Sequence, residues 1–457
     1  MTTALQVDLD LIRKYDVPGP RYTSYPTAVQ FSETFSREEL LADLRAHYAQ
    51  PRELSLYFHL PFCETLCWFC GCTTVISKDH SRAERYLDTL AREMALTAPL
   101  LHRDSRVVQL HFGGGTPNFF NPAQIRRLGK LIHEHFRFEA EAECSVELDP
   151  RRLTRDHVAA FREMGVTRAS FGIQDFNALV QEAVNRVQPK ALSDQAATWI
   201  RELGFESLNV DLIYGLPHQT PETFARTIDL ALELTPDRFA VFNYAHVPWM
   251  KPAQKIVERS VLPTPEVKLA MLKLGIETLT ARGYVYVGMD HFARETDELA
   301  VAQRARTLQR NFQGYSTRAG ADIVAFGMSS ISQTPTHFRQ NEKDLDAYYA
   351  RLDAGELPIA KVRFLTDEDR LRREVIMRLM CDLALDYDAL GSRLGVDFRA
   401  HFARELAMFA APAADGLVVL NEHGLTVTDT GRLLIRNLAM NFDAYLAGNG
   451  KRFSQTI

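Results

Sequence analysis

Residues 59–72 read His59-Leu-Pro-Phe-Cys63-Glu-Thr-Leu-Cys67-Trp-Phe-Cys70-Gly-Cys72, and they hold four of the six cysteines in the chain. The other two, Cys144 and Cys381, stand alone in apolar surroundings and read as small buried hydrophobes. A thiol run this dense in a chain expected to be cytosolic points to metal or redox chemistry, not to a disulfide framework. Soft thiolates select zinc, Cu(I) or iron–sulfur clusters. Four cysteines can close a tetrahedral zinc site, and a redox disulfide is a further option. Yet the Cys70-Gly-Cys72 tail is too tight for the usual paired zinc knuckles. Three cysteines spaced at +4 and +3 can instead wrap a cubane and leave one iron open. The spacing favours a [4Fe–4S] cluster on Cys63, Cys67 and Cys70.

The loop follows an apolar run that reads as a strand, and from there to about residue 250 a strand-then-helix rhythm repeats. Strand-like runs fall at 54–60, 107–112, 143–148, 168–174, 208–214 and 239–244. Most are short, apolar and bounded by Gly, Pro or Asp, as expected for parallel strands covered on both faces. Helical patterns lie between them at 81–96, 122–136, 154–164, 193–203 and 220–234. Leu87, Leu90 and Met94 make the stripe of the first, and Ile125, Leu128, Leu131 and Ile132 that of the second. About six consecutive βα units give either a doubly wound sheet or a barrel. Informative residues sit at the C-terminal end of nearly every strand, where a barrel collects its active site. The expected fold is α/β, a partial (βα) barrel over 51–360 extended by a helix at 264–282 and a strand at 284–288. A helix at 370–383, a hairpin at 415–428 and a final helix at 431–446 predict a mainly helical, winged-helix-like C-terminal domain over 361–457.

Composition excludes several classes. Of 457 residues, 46% are hydrophobic and 24% charged, an ordinary globular balance that rules out disorder as the main state. Lys+Arg 53 against Asp+Glu 58 gives a net charge of −5 without a long basic run, so nucleic acid is not expected as a partner. No apolar run is long enough for a membrane span. The N-terminus carries acids where a signal peptide needs positive charge, so a cytoplasmic location is expected.

Cys-x₃-Cys-x₂-Cys after a first barrel strand resembles the radical S-adenosylmethionine superfamily, which also places an aromatic, here Phe69, before the last cysteine. His111-Phe-Gly113-Gly114-Gly115-Thr116-Pro117 and Val146-Glu147-Leu-Asp149-Pro end the next two strands in keeping with that class. Further motifs narrow the resemblance. Gly19-Pro20-Arg21-Tyr22-Thr-Ser-Tyr25-Pro26-Thr27, Phe171-Gly-Ile-Gln174-Asp-Phe176, Asn209-Val-Asp211-Leu-Ile-Tyr-Gly-Leu-Pro217, Phe242-Asn-Tyr-Ala245-His, Gly288-Met-Asp-His-Phe-Ala-Arg294 and Arg310-Asn-Phe-Gln-Gly-Tyr315 occur together in that order. The set resembles the oxygen-independent coproporphyrinogen III oxidase family and covers essentially the whole chain.

The resemblance implies an oxidoreductase of haem biosynthesis that converts the propionates on rings A and B of coproporphyrinogen III to vinyls, giving protoporphyrinogen IX. It implies a [4Fe–4S] cluster on Cys63, Cys67 and Cys70, two S-adenosylmethionine molecules and a 5′-deoxyadenosyl radical. Carried over by motif, the first molecule would touch Tyr57, Gly114, Glu147 and Ile331. The second would touch Phe69, Gly115, Thr116, Gln174, Arg186, Asp211 and Ala245. Cys72, outside the ligand set, is expected to serve catalysis with Tyr57 and Glu147. Arg21, beside Tyr22 and Tyr25, is the candidate for gripping a substrate carboxylate, on an N-terminal strap over 1–50 lying across the barrel mouth. A low-potential donor of the flavodoxin or ferredoxin kind is implied, and a monomer is expected. The sequence departs from the family pattern at Asn118 and in the Ser454-Gln-Thr-Ile457 tail, neither expected to touch the chemistry. The rival is the sister family of haem chaperones, which would bind and transfer haem. Those chaperones lack the Pro-Arg-Tyr-Thr-Ser-Tyr-Pro strap present here.

Overall fold

The computed structural model describes residues 7–257 and 261–446, so the 454–457 tail and the first six residues of the strap lie outside the described residues. Six strands carry the expected rhythm: β1 (Glu53–Leu60), β2 (Arg106–Gly114), β3 (Phe138–Leu148), β4 (Arg168–Gln174), β5 (Ser207–Tyr214) and β6 (Arg238–Asn243). They pair in sequence order, all parallel. Helices Arg82–Thr97, Pro122–His135, Arg155–Glu163, Lys190–Glu202 and Pro221–Leu232 connect them. Asn121, Thr154 and Thr220 cap three of these through reciprocal side-chain bonds, and proline opens the second and the last.

The strands are not covered by apolar groups on both faces, as their sequence first suggests. Leu54, Leu56, Phe58 and Leu60 of β1 face the helices and are fully buried, as are Leu110 and Phe112 of β2 and Leu208, Val210 and Leu212 of β5. The alternate residues are polar. Gln109, His111, Glu143, Ser145, Arg168, Ser170, Asn209 and Asp211 line one internal cavity. Strand periodicity puts successive side chains on opposite faces, so one face builds the core and the other a polar lumen.

Six later strands extend the sheet, five of them beyond expectation. The strand at 284–288, β7 (Tyr284–Gly288), lies at the sheet edge, because β8 (His291–Arg294) inserts antiparallel between it and β6. On the other side β9 (Asp322–Phe326) pairs parallel with β1. Antiparallel β10 (Ile331–Gln333), β11 (His337–Asn341) and β12 (Ile359–Phe364) follow. The result is one open twelve-stranded sheet, a partial barrel with β12 and β7 as unjoined edges. The hairpin Gln309–Asn311/Gly314–Ser316 adds Tyr315 and Ser316 to the lumen wall.

The C-terminal region has helix Asp367–Asp382 and a three-stranded sheet in which Gly424–Val427 lies between Ala384–Asp386 and Val418–Leu420. The expected single helix at 431–446 is broken into Asp429–Arg432 and Ile435–Met440. The break serves two partners: Arg432 reaches the Val287 carbonyl, while Ile435, Leu438 and Phe442 enter the apolar core. Tyr22 and Tyr25 of the strap join that same core. Tyr22 donates to Asp443 at 2.9 Å, and Arg436 donates to the Pro20 carbonyl at 2.8 Å. The strap segment 19–25 is thus pinned to the C-terminal region. Helix Arg37–His47 instead packs Leu40 and Leu44 into the barrel core.

Candidate active site

The cysteine loop leaves the C-terminal end of β1. Just past Pro61, Phe62–Cys63 form a short parallel bridge with Val75–Ile76. The Gly-rich end of β2 runs beside it, with the Gly115 amide donating to the Leu60 carbonyl and the Thr116 amide to the Phe62 carbonyl, at 2.8 and 2.9 Å. Thr116 Oγ1 lies 3.2 Å from Cys63 Sγ. Glycine is required here by crowding from the neighbouring strand. A Cβ on Gly114, whose φ is +108°, would come within 2.6 Å of the His59 ring. One on Gly115 would come within 2.5 Å of the Pro61 carbonyl carbon.

Cys63, Cys67, Cys70 and Cys72 line one cavity of about 160 Å³, together with Phe69, Gly114, Gly115, Thr116, Glu147, Gln174, Arg186 and Asp211. A second cavity of about 470 Å³ is walled by Tyr57, His59, Cys72, His111, Gly114, Glu147 and Ile331. The residues expected around a first S-adenosylmethionine therefore all fall in the second cavity. Those expected around a second molecule all fall in the first, except Ala245. Ala245 is tied in indirectly, since Gln254 Nε2 donates to both the Ala245 and Phe69 carbonyls at 3.2 Å. Cys72, Gly114 and Glu147 belong to both walls.

Electrostatics differ across the site. Burial pushes the Cys63 thiol up to about 12. Cys70 and Cys72 act as a pair: the hydrogen bond between them lowers Cys70 and raises Cys72, so Cys70 is the readier thiolate and Cys72 keeps its proton. Glu147 is held below the usual carboxylate range. Burial works against its charge, but His111 Nε2 at 3.3 Å and the Gly114 amide at 3.3 Å outweigh it. Burial lifts Asp211 to about 7, helped by the charge of Glu147. His59 is buried and lowered by desolvation, hence neutral. Its Nε2 donates to the Thr73 carbonyl at 2.8 Å, which leaves Nδ1 to accept from the Tyr57 hydroxyl at 3.1 Å.

Gln174 Oε1 and Arg186 Nε are buried without hydrogen-bond partners. Gln174 adopts a left-handed φ of +68°, and both residues wall the first cavity. Arg186, which seen alone resembles a surface charge, is buried. It donates to the Gly172 carbonyl at 2.8 Å and to Cys67 Sγ at 3.6 Å. Orphaned polar atoms beside three thiols fit a polar cofactor bound next to a thiolate-held cluster. Among the described residues no three His, Cys, Asp or Glu side chains converge as a single-ion site.

Sequence reading missed His59, His111, Asp149 and Arg151, and set Asn118 aside. For His59 and His111 the signal was the period-two polar pattern of β1 and β2, which points at the lumen. Asn118 is buried and bonds both backbone groups of Asp149, so it braces the site after all. Arg21, the candidate grip for a substrate carboxylate, stays partly exposed. Arg21 pairs with Asp290 at 3.0 Å, while Tyr22 and Tyr25 are buried and not open to a substrate.

Residues 57–231 match the Radical SAM superfamily, and residues 365–434 match the HemN C-terminal domain. Parallel sheet, cysteine loop and Gly-rich strand end together define a radical SAM protein, a class that implies a [4Fe–4S] cluster and S-adenosylmethionine. The chain is 47% identical over 452 residues to the oxygen-independent coproporphyrinogen III oxidase of Escherichia coli, covering 98% of each chain. It is 44% identical to the Pseudomonas aeruginosa protein of that name over 100% of each. The solved Escherichia coli coproporphyrinogen III oxidase, described as a radical SAM enzyme, superposes with a TM-score of 0.92 at 46% identity, covering 97% of this chain and 100% of that one. The chain belongs to the oxygen-independent coproporphyrinogen III oxidase family.

Proposed function

We propose that this protein catalyses the oxygen-independent oxidative decarboxylation of coproporphyrinogen III to protoporphyrinogen IX. The single observation that carries the reading is the clustering of Cys63, Cys67 and Cys70 on the wall of a cavity shared with Gly115, Gln174, Arg186 and Asp211. Each of two propionates loses CO₂, one hydrogen atom and one electron to become a vinyl. Bound here, the cluster and S-adenosylmethionine supply the one-electron sulfonium cleavage that makes a hydrogen-abstracting carbon radical.

The chain's own residues hold and orient. Cys63, Cys67 and Cys70 are the cluster ligands. Glu147, kept ionised by His111 and Gly114, suits an ammonium group or ribose hydroxyls, with Tyr57, Gly114 and Ile331 around it. The free donors and acceptors of Arg186 and Gln174, with Phe69, Thr116 and Asp211, suit a second S-adenosylmethionine, and Ala245 backs Phe69 through Gln254. Cys72 holds a proton on Sγ where the two cavities meet. The electron comes from a flavodoxin- or ferredoxin-like donor. No described helix is long and apolar enough to cross a membrane, in keeping with a cytoplasmic enzyme that we take to be a monomer.

The test is anaerobic. The protein is reconstituted with iron and sulfide, given S-adenosylmethionine, reductant and coproporphyrinogen III, and the products are analysed by mass spectrometry. Two CO₂ losses with 5′-deoxyadenosine are expected. Deoxyadenosine without decarboxylation would break the substrate assignment, and tight haem binding with neither product would favour a haem chaperone.

A further inference from the structure

Four side chains behind the cysteine loop form a relay. Asn118, 3% exposed, accepts from the Asp149 amide at 2.8 Å and donates to the Asp149 carbonyl at 3.0 Å. The Asp149 carboxylate, thus fixed, takes the Arg151 guanidinium in a fork. Nε lies 3.0 and 3.1 Å from its two oxygens and Nη2 2.6 Å from one. The two arginines beside Asp149 outweigh its burial and hold its carboxyl down to about 2. Arg151 Nη2, already bound to Asp149, also reaches Cys67 Sγ at 3.6 Å. Arg186 Nη1 meets the same sulfur at the same distance, and lies 3.5 Å from Asp149. Neither Cys63 nor Cys70 has an arginine N–H bond of this kind among the described residues. Two guanidiniums thus converge on one of three thiols, and a buried carboxylate orients both.

We infer that Arg151, oriented by Asp149 and Asn118, is a positioning and tuning residue that raises the reduction potential of the cluster through an N–H···S bond to Cys67. The inference rests on the proposed cluster at Cys63, Cys67 and Cys70. Taking up one electron from a low-potential donor makes a thiolate-bound cluster one unit more negative. Hydrogen bonds and positive charge at a ligand sulfur stabilise the reduced form more than the oxidised form. A bidentate anchor on Asp149 fixes the direction of the remaining N–H, which a lysine, a point charge on a flexible stem, cannot reproduce. Both arginines wall the S-adenosylmethionine cavity, but only Arg186 leaves a buried polar atom there, Nε, without a partner. Arg151 separates the two roles best.

The test is an EPR-monitored redox titration of the reconstituted full-length protein, without substrate, for wild type, Arg151→Gln and Arg151→Lys. Iron and sulfide are counted and thermal unfolding recorded in parallel. Arg151→Gln is expected to keep its cluster and to shift the midpoint negative by a tenfold change in the one-electron equilibrium, 59 mV. Arg151→Lys, which keeps charge but loses the fork, is expected to fall between. Asn118→Ala, leaving Arg151 in place but unbraced, is expected to shift the same way by less. Midpoints equal to wild type in both Arg151 variants, with full clusters, would overturn the inference. So would loss of the cluster from both with the fold intact, since Arg151 would then be needed for assembly, not tuning. A wild type that binds no [4Fe–4S] cluster would instead refute the function on which the inference stands.

Discussion

Gly115→Ala is expected to cost activity through geometry alone. The backbone of Gly115 has no left-handed φ, so alanine meets no torsional penalty. The obstacle is space. The new Cβ would lie 2.5 Å from the Pro61 carbonyl carbon and 2.9 Å from the Leu60 oxygen, against an ordinary contact of at least 3.4 Å. All the neighbours are backbone, and the Pro61 oxygen is closer still, so relief requires the β1 and β2 ends to part by at least 0.9 Å, the difference between 3.4 and 2.5 Å. That joint carries the cysteine loop, because the Gly115 and Thr116 amides bond Leu60 and Phe62 directly ahead of Cys63. A misplacement of about 1 Å at a reacting centre can cost about 10²-fold in rate. The expected result is a loss of that order in protoporphyrinogen formation, measured anaerobically per mole of intact cluster. Gly71→Ala is the matched control, for its Cβ would meet nothing within 4 Å although it sits between Cys70 and Cys72. Wild-type turnover by Gly115→Ala, or equal losses in both variants, would refute the argument from crowding.

Three further outcomes are expected. Cys63→Ser should abolish both cluster and activity, and a full complement of iron and sulfide in that variant would sink the ligand assignment. Buried Glu93, which accepts from Tyr348, Asn341 and the Gly327 amide, is lifted by burial to about 7 from 4.5. A raised carboxylate favours the folded state at low pH, so stability should fall by about 3 kcal/mol between pH 4.5 and 7, at about 1.4 kcal/mol per unit. Denaturation of Glu93→Gln across that range should lose the slope, and an unchanged slope would contradict the assignment. Tyr22→Ala, removing a buried ring and its bond to Asp443, should destabilise the C-terminal region by about 3–5 kcal/mol in urea unfolding. Exposed Tyr22 in limited proteolysis of the wild type would argue against it.

Much of this protein was legible before any coordinates. The spacing of Cys63, Cys67 and Cys70 belongs to one loop, and a loop's donor set is a local property. The six βα units were equally plain, since strand and helix periods are local patterns and the caps at Asn121, Thr154 and Thr220 are written within four residues. What local pattern cannot carry is which distant groups face one another. The polar lumen arises because alternate residues of β1 to β5 converge, and the period-two pattern within one strand does not show which polar residues of the others it will face. The positions of β8 and β9 are choices of pairing partner between segments far apart in sequence. Arg186 was placed at the site only by motif resemblance, because nothing near it in sequence shows Asp149 or Cys67. Asn118 looked incidental because its partner lies 31 residues away. The chemistry was set by the sequence of one loop. Its electrostatic setting and the Tyr22–Tyr25 anchor were decided only when tertiary packing brought together groups separated by 84 to 421 residues, where burial makes every such contact count.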